Sequence, residues 1–322
     1  MGIRTTVVGS YPKPPREGQP FVLRRTLHDL EAGVATAADV RRAQDDLVRE
    51  VIAEQEAAGV DLVTDGCARW DDLLTPFAAH MAGFEVGGLL RWFDNNVYYR
   101  RPVCVGSVEW RGPASVEVYR FAASVASRPV KAILPGPVTF ARLSVDEHYR
   151  DHESFVLAIA RVLAQEAFEL QAAGAPVIQI DEAALLGAPE DLELAGRALG
   201  VITGELDTET LLVTYFGDAK RLGTELFRLP VEGFGFDLVA GPENAELIRQ
   251  RPNGKVQAGI VDARNTKLEP TEEVVRVIEG LARAVPPDSL LVSPSAGLEF
   301  LPRDKARAKL QRLSEAVERV GG

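Results

Sequence analysis

Short apolar runs alternate with longer amphipathic stretches along most of the chain. The runs at residues 5–9, 61–64, 130–134, 177–180, 211–214, 233–236, 256–261 and 290–292 have the length and composition of strands buried on both faces. Helical spacing marks residues 39–58, 70–81, 115–126, 154–173, 189–203, 219–227, 242–249, 271–284 and 303–320. In the first of these helices Val40, Leu47, Val48, Val51 and Ile52 share a face, with Asp39 read as N-cap and Gly59 as the stop. Strands that alternate with helices pair in parallel, and eight such units favour a closed barrel over an open sheet. The predicted fold class is α/β, a (β/α)8 TIM barrel, and with no low-complexity linker residues 1–322 are read as one domain. One stretch breaks the rhythm. Residues 87–110 (GGLLRWFDNNVYYRRPVCVGSVEW) are aromatic and partly alternating, with a turn signal at Asp94-Asn95-Asn96, and predict a β-like excursion.

Composition narrows the function classes. Of 322 residues 46% are hydrophobic, and 47 acidic against 36 basic side chains give a net charge of -11. That balance argues against nonspecific binding to nucleic acid or to an anionic membrane through overall charge. The start, MGIRTTVVGSYP, lacks a signal-peptide core, and no apolar run approaches the ~18 residues of a membrane span. A soluble cytoplasmic protein with a small-molecule substrate is expected. Cys67 and Cys104 make neither a disulfide framework nor a metal-spaced cluster. Nucleotide-binding glycine motifs and a serine elbow are both absent. The four histidines lie away from the strand ends; His80 falls in a predicted helix, and His148 and His152 share helical spacing without a third ligand nearby.

A barrel of this type carries its chemistry on the loops after the strands. Those ends hold Ser10, Asp65 with Cys67, Thr139, Asp181 with Glu182, Tyr215 with Asp218, Asp237, Asp262 with Arg264, and Ser293 with Ser295. Aspartate also caps helices and starts turns, so each one singly has a structural reading. Together they predict an acidic cup with one positive group, Arg264, suited to the amino group of an amino acid or the pyrimidine edge of a pterin. The adjacent carboxylates that end the run APVIQIDEAALL could also act as acid and base in a lyase or isomerase. Cys67 reads either as a nucleophile or as a small inert wall residue.

Several stretches in order resemble cobalamin-independent methionine synthase: TTVVGSYPKP, DGCARWDDLLTPFAAHMAGF, RPVCVGSVEWRGPASVEVYRFAASVASRPVKAILPGPVTF, VIQIDEAAL, GIVDARNTKLEPTEEV and LLVSPSAGL. The full-length family has two related barrels, and this chain has the length of one. FDNNVYYRRP and TYFGD resemble the N-terminal barrel, whereas residues 101–140 resemble the catalytic one. The resemblance implies methyl transfer from a methylated folate to homocysteine, activated by zinc on a His, two Cys and a Glu. At the matching positions stand Thr214, Phe216, Asp237 and Ala296, so no metal is expected. Val8, Gly9 and Ser10 match the segment that cradles the homocysteine carboxylate, and Asp181 matches an anchor of its amino group. Cys67 stands where a second amino-binding Glu is found, Arg264 where the family's catalytic His is, and Leu143 where an aromatic residue stacks on the pterin.

The expected substrate-binding set is therefore Val8, Gly9, Ser10, Asp65, Asp181, Glu182, Tyr215, Asp218 and Ser295, and the expected catalytic set Cys67, Asp237, Asp262 and Arg264. The leading expectation is a zinc-independent methyl or alkyl transferase, with methyltetrahydrofolate or another carrier as donor. A non-catalytic barrel that partners a separate zinc-bearing synthase barrel is the alternative from a different class.

Overall fold

The computed structural model describes residues 2–15, 17–251 and 254–321. The chain opens with β1 (Arg4–Thr5), α1 (Val22–Glu31), α2 (Ala37–Ala57), α3 (Thr75–Ala79) and two long strands, β2 (Met81–Arg91) and β3 (Tyr98–Trp110). Next come α4 (Val116–Val125), β4 (Ala132–Pro135), α5 (Pro137–Arg142), β5 (Val145–Asp146), α6 (His152–Ala172) and β6 (Val177–Asp181). The rest comprises α7 (Leu192–Thr203), β7 (Glu209–Val213), β8 (Gly233–Asp237), α8 (Asn244–Arg249), β9 (Lys255–Val261), α9 (Thr271–Ala282), β10 (Leu290–Pro294) and α10 (Arg303–Gly321).

Seven strands form one parallel sheet in the order β1-β10-β9-β8-β7-β6-β4. An irregular eighth stave closes the ring: Leu62 bridges Thr6 on one side and Val63 bridges Val130 on the other. The predicted α/β barrel is thus observed. Every residue of β6 and β8 is buried, as strands with helices outside and packed side chains inside require. No described helix is long and apolar enough to cross a membrane.

The excursion is a β-hairpin of β2 and β3, antiparallel, with β5 paired to β3. It begins at Met81, six residues before the predicted start. The predicted helix over 70–81 shrinks to the five residues of α3. Asp72 Oδ1 accepts the N–H groups of Leu74 and Thr75 at 2.7 Å each and delays the helix start, and from Met81 onward the backbone pairs with Trp110. Residues 219–228 form a 3-10 run broken at Gly223, whose φ of 61° no continuous helix accommodates. α1 has no counterpart among the predicted elements.

Two helix starts differ in detail from the sequence reading. In α2 the N-cap is Thr36, and Asp39 sits at N3: Asp39 N–H donates to Thr36 Oγ1 and Thr36 N–H to Asp39 Oδ2, a reciprocal capping box. α4 has no side-chain cap of its own. The residues just before it are held instead by the buried Glu166 of α6, which accepts from Ala114 N at 3.0 Å, Ser115 N at 2.7 Å and Ser115 Oγ at 2.6 Å. Truncating that carboxylate leaves the two buried Ser115 donors without their partner. Glu166→Leu should lower stability by about 3 kcal/mol, read as a lower denaturant midpoint at unchanged m-value.

Candidate functional site

The carboxyl ends of the strands converge on a cavity of about 240 Å³. Its floor and walls include Val8, Gly9 and Ser10 after β1, Cys67 after the irregular stave, Ile133 on β4, Asp181 ending β6, and Tyr215 and Phe216 after β7. Gly9 lets Ile133 pack close: a Cβ would lie 2.7 Å from Ile133 Cδ1, which would have to shift. Thr64 Oγ1 donates to Gly9 O at 2.9 Å, and Tyr11 N–H to Gly66 O at 2.9 Å, pinning the loop after β1 to the loop beside it. The hairpin supplies the roof. Trp92 and Val97 line the cavity from its tip, and the neighbouring Phe93 packs on Phe216 at 5.5 Å between ring centroids.

Asp181 is held at the base of the cavity by two donors, Gln179 Nε2 at 2.6 Å and Tyr215 Oη at 3.2 Å. Burial lifts its carboxyl to about 7, against the pull of those hydrogen bonds and of Lys131. Lys131 lies inside the barrel and is itself brought down to about 7 by burial. It donates to Val7 O at 2.8 Å, Gln179 Oε1 at 2.5 Å and Gln257 Oε1 at 3.0 Å. Cys67 is a wall residue rather than an activated nucleophile. Burial first, then the charge of Asp65, push its thiol well above the ordinary range, so it stays protonated near neutral pH.

The other residues of the expected sets stand outside the cavity, engaged with backbone. Glu182 turns to the N-terminus of α5, accepting from Val138 N at 2.9 Å, Thr139 N at 2.8 Å and Thr139 Oγ1 at 2.7 Å. Gly136 makes room for it; a Cβ there would lie 2.1 Å from Glu182 Cδ. An acid–base couple of Asp181 and Glu182 therefore has no shared cavity. Asp65 lies beneath the wall, with Oδ1 accepting Cys67 N–H at 3.2 Å. Asp218 caps the following 3-10 run through Lys220 N–H at 2.7 Å.

Asp237 accepts Phe216 N–H at 3.1 Å, Val239 N–H at 2.9 Å and Ala240 N–H at 2.8 Å. It brackets a loop in which Phe216 has a positive φ of 71°. Asp262 accepts Arg264 N–H at 2.8 Å, and the Arg264 guanidinium rests 5.1 Å from the Phe216 ring centroid. Ser295 is buried, with its Oγ accepting Ala263 N–H at 3.1 Å. Leu143 is not part of the cavity wall; its carbonyl accepts the Tyr99 hydroxyl at 2.9 Å. His80 follows α3 instead of lying within a helix, and His148 precedes α6, so it does not share a helix with His152. His152 Nε2 meets Asp191 Oδ2 at 2.8 Å.

Four residues that the strand-end rule passed over matter here: Glu299, Lys13 and Trp70 on the cavity wall, and Lys131 below it. Lys13 Nζ donates to the carbonyl of Trp70.

The fold and cavity define an α/β barrel with an acidic pocket at the carboxyl ends of its strands, roofed by a hairpin. The chain belongs to the cobalamin-independent methionine synthase family: residues 3–199 match the family described as "Cobalamin-independent synthase, Catalytic domain". A protein named methionine synthase from Saccharolobus solfataricus is 32% identical over 319 residues, covering 98% of this chain and 94% of that one. A methionine synthase from Pyrococcus horikoshii is 30% identical over 319 residues, 98% of this chain and 92% of the other. Among solved structures, a B12-independent methionine synthase from Shewanella sp. W3-18-1, in complex with selenomethionine, superposes with a TM-score of 0.86 at 24% identity. That match covers 100% of this chain and 98% of the Shewanella chain. At that identity the likeness speaks to the fold.

The four positions matched to the zinc ligands do not fit the ion. Phe216 and Ala296 have no donor atom, the Thr214 hydroxyl donates to Gly235 O at 3.1 Å, and Asp237 is occupied by the N–H groups above. Among the described residues no group of three or more His, Cys, Asp or Glu is placed to hold a metal.

The thiols offer a direct check on the site's electrostatics. Cys104, lifted to about 11 mainly by burial, and Cys67 should both be poorly nucleophilic in the native protein. At pH 8 a disulfide reagent should label them at least ~10-fold more slowly in the native protein than after unfolding; rapid native labelling of Cys67 would contradict its place in the wall.

Proposed function

We propose that this chain transfers a methyl or other alkyl group to a small amino-acid-like acceptor held in the cavity, and does so without zinc. The observation that carries this reading is Asp181. It is a buried carboxyl at the end of β6, fixed by Gln179 and Tyr215 and facing a cavity of about 240 Å³, a size suited to one amino acid. Its sequence context, IQIDE, matches the family's amino-group anchor. The Shewanella relative whose structure was solved with selenomethionine adds support for an acceptor of this class. Val8, Gly9 and Ser10 would receive the acceptor's carboxylate end, and Trp70, Trp92 and Phe216 would enclose its side chain. The donor is a methylated folate or another methyl carrier; Leu143 gives no ring on which a pterin could stack.

The relatives named methionine synthase are spanned nearly end to end by this chain, which ranks transfer above a barrel that only assists a separate zinc-bearing one. Co-purification with such a barrel, together with no turnover by the isolated chain, would reverse that order.

The first test joins metal content to activity. Elemental analysis of active protein should find well under one zinc per chain, and stoichiometric zinc lost together with activity would sink the zinc-free reading. Asp181→Ala should lower kcat/KM for the acceptor roughly 10- to 100-fold, the worth of one charge-assisted hydrogen bond.

The second test is pH. An ammonium needs Asp181 ionised, and this carboxyl titrates near 7 in the free protein. Protonation therefore removes the anchor as pH falls. Acceptor affinity should weaken from pH 8 to pH 6 and level off above about 8, a trend that should be smaller in Asp181→Asn.

A further inference from the structure

One acidic group in the cavity lies beyond the strand ends. Glu299 sits five residues after the end of β10, in a loop tied to the one after β1 by Leu298 N–H donating to Ser10 O at 2.8 Å. Its side chain borders the same cavity as Asp181, Cys67 and Tyr215. One of its carboxyl oxygens, Oε2, is sealed from water and has no hydrogen-bond partner. Gly297 gives the carboxyl its place, since a Cβ there would lie 2.1 Å from that oxygen. A buried acceptor without a donor is costly to keep, and a cavity wall is where a ligand can supply the donor.

The surroundings say what kind of donor. The groups whose charges act on Glu299 or feel it are Asp181 from the end of β6, Lys13 from the loop after β1, Cys67 and Tyr215. Lys13 is the one cation in that set, and its amino group is engaged with the Trp70 carbonyl and Asp71. Two carboxyls therefore share a small cavity without a free protein cation between them. A positively charged donor answers both the missing hydrogen bond and the charge of the pair, a neutral donor only the first, and an anion neither.

On the acceptor reading above, we propose that Glu299 is the second anchor of the ligand's ammonium, working with Asp181. It restores from the last loop of the barrel the carboxylate that the chain lacks at Cys67. The family position filled by Cys67 lies on a different stave, yet Cys67 and Glu299 meet at the same cavity and interact electrostatically. Glu299 thus brings a carboxyl to the cavity that Cys67 borders. Burial and the charge of Asp181 lift Glu299 to about 7, so part of the pair is protonated in the free protein, and an arriving ammonium expels that proton.

Calorimetric titration of the full chain with L-homocysteine and L-methionine, alongside their analogues lacking the amino group, tests this. Wild type should prefer each amino acid over its analogue. Glu299→Gln should weaken amino-acid binding by 10- to 100-fold and leave the analogues within about twofold, collapsing the preference. Titration in buffers of different ionisation enthalpy should show proton release near pH 7 that falls in the variant. Glu299→Asp, which keeps the charge and serves if the glutamine variant folds poorly, should fall between the two. Equal amino-acid preference in wild type and variant would overturn the role of Glu299 alone. Failure of wild type to bind either amino acid would sink the acceptor reading, and this inference with it.

Discussion

The arrangement of the site depends on a lysine that has no water around it. Lys131 is buried at the barrel axis; burial lowers it to about 7, and three oxygens replace the hydration of its amino group: Val7 O, Gln179 Oε1 and Gln257 Oε1. Those oxygens come from the chain just after β1, from β6 and from β9, so one cation holds together staves distant in sequence. It also settles how Gln179 points. With its oxygen committed to Lys131, its amide nitrogen must donate elsewhere, and it reaches Val8 O at 2.6 Å and Asp181 Oδ1 at 2.6 Å. The carboxylate at the cavity base and the loop beside it are thus positioned by a charge one layer below.

That layering explains which parts of the molecule the sequence made legible. Buried parallel strands are apolar throughout and helices repeat every 3.6 residues, so eight units and their order could be read from periodicity alone. α1 went unread although Leu23, Leu27 and Leu30 recur at helical spacing after a proline-rich stretch; in the fold only Leu23 of that stripe is buried. The helix expected at 70–81 failed for a tertiary reason: its last residues are needed as the first rung of the hairpin, where Met81 pairs with Trp110.

The site was half legible. Position at a strand end selected Ser10, Cys67, Asp181 and Tyr215, and the family resemblance added Val8 and Gly9; all six reach the cavity. The same rule selected Glu182, Asp218, Asp237 and Asp262, which serve backbone N–H groups in the loops. Sequence cannot separate these two uses, because a carboxylate that caps a turn and one that awaits a ligand occupy the same kind of position. The signals that went unused were polar residues inside apolar strands. Lys131 in VKAIL, Gln179 in VIQID and Gln257 in KVQAGI are each out of keeping with their runs, and they are the three that meet at the axis.

The electrostatics of the cavity bear on how an acceptor could react there. Cys67 is a thiol already placed against Asp65, Asp181 and Glu299, and its pKa is driven up. A thiol acceptor in the same field meets the same penalty, and the positions that would hold a zinc ion to offset it carry a phenyl ring and a methyl group at Phe216 and Ala296. Lys13 on the cavity wall is already engaged with the Trp70 carbonyl and Asp71, so further positive charge has to arrive with the ligand. On the proposed reading, an ammonium held by Asp181 and Glu299 would offset two of the charges that disfavour a thiolate, while burial, the largest cause, and Asp65 would still act. On that reading an acceptor without an amino group would lose an anchor and part of this offset together, which couples binding to activation in one group.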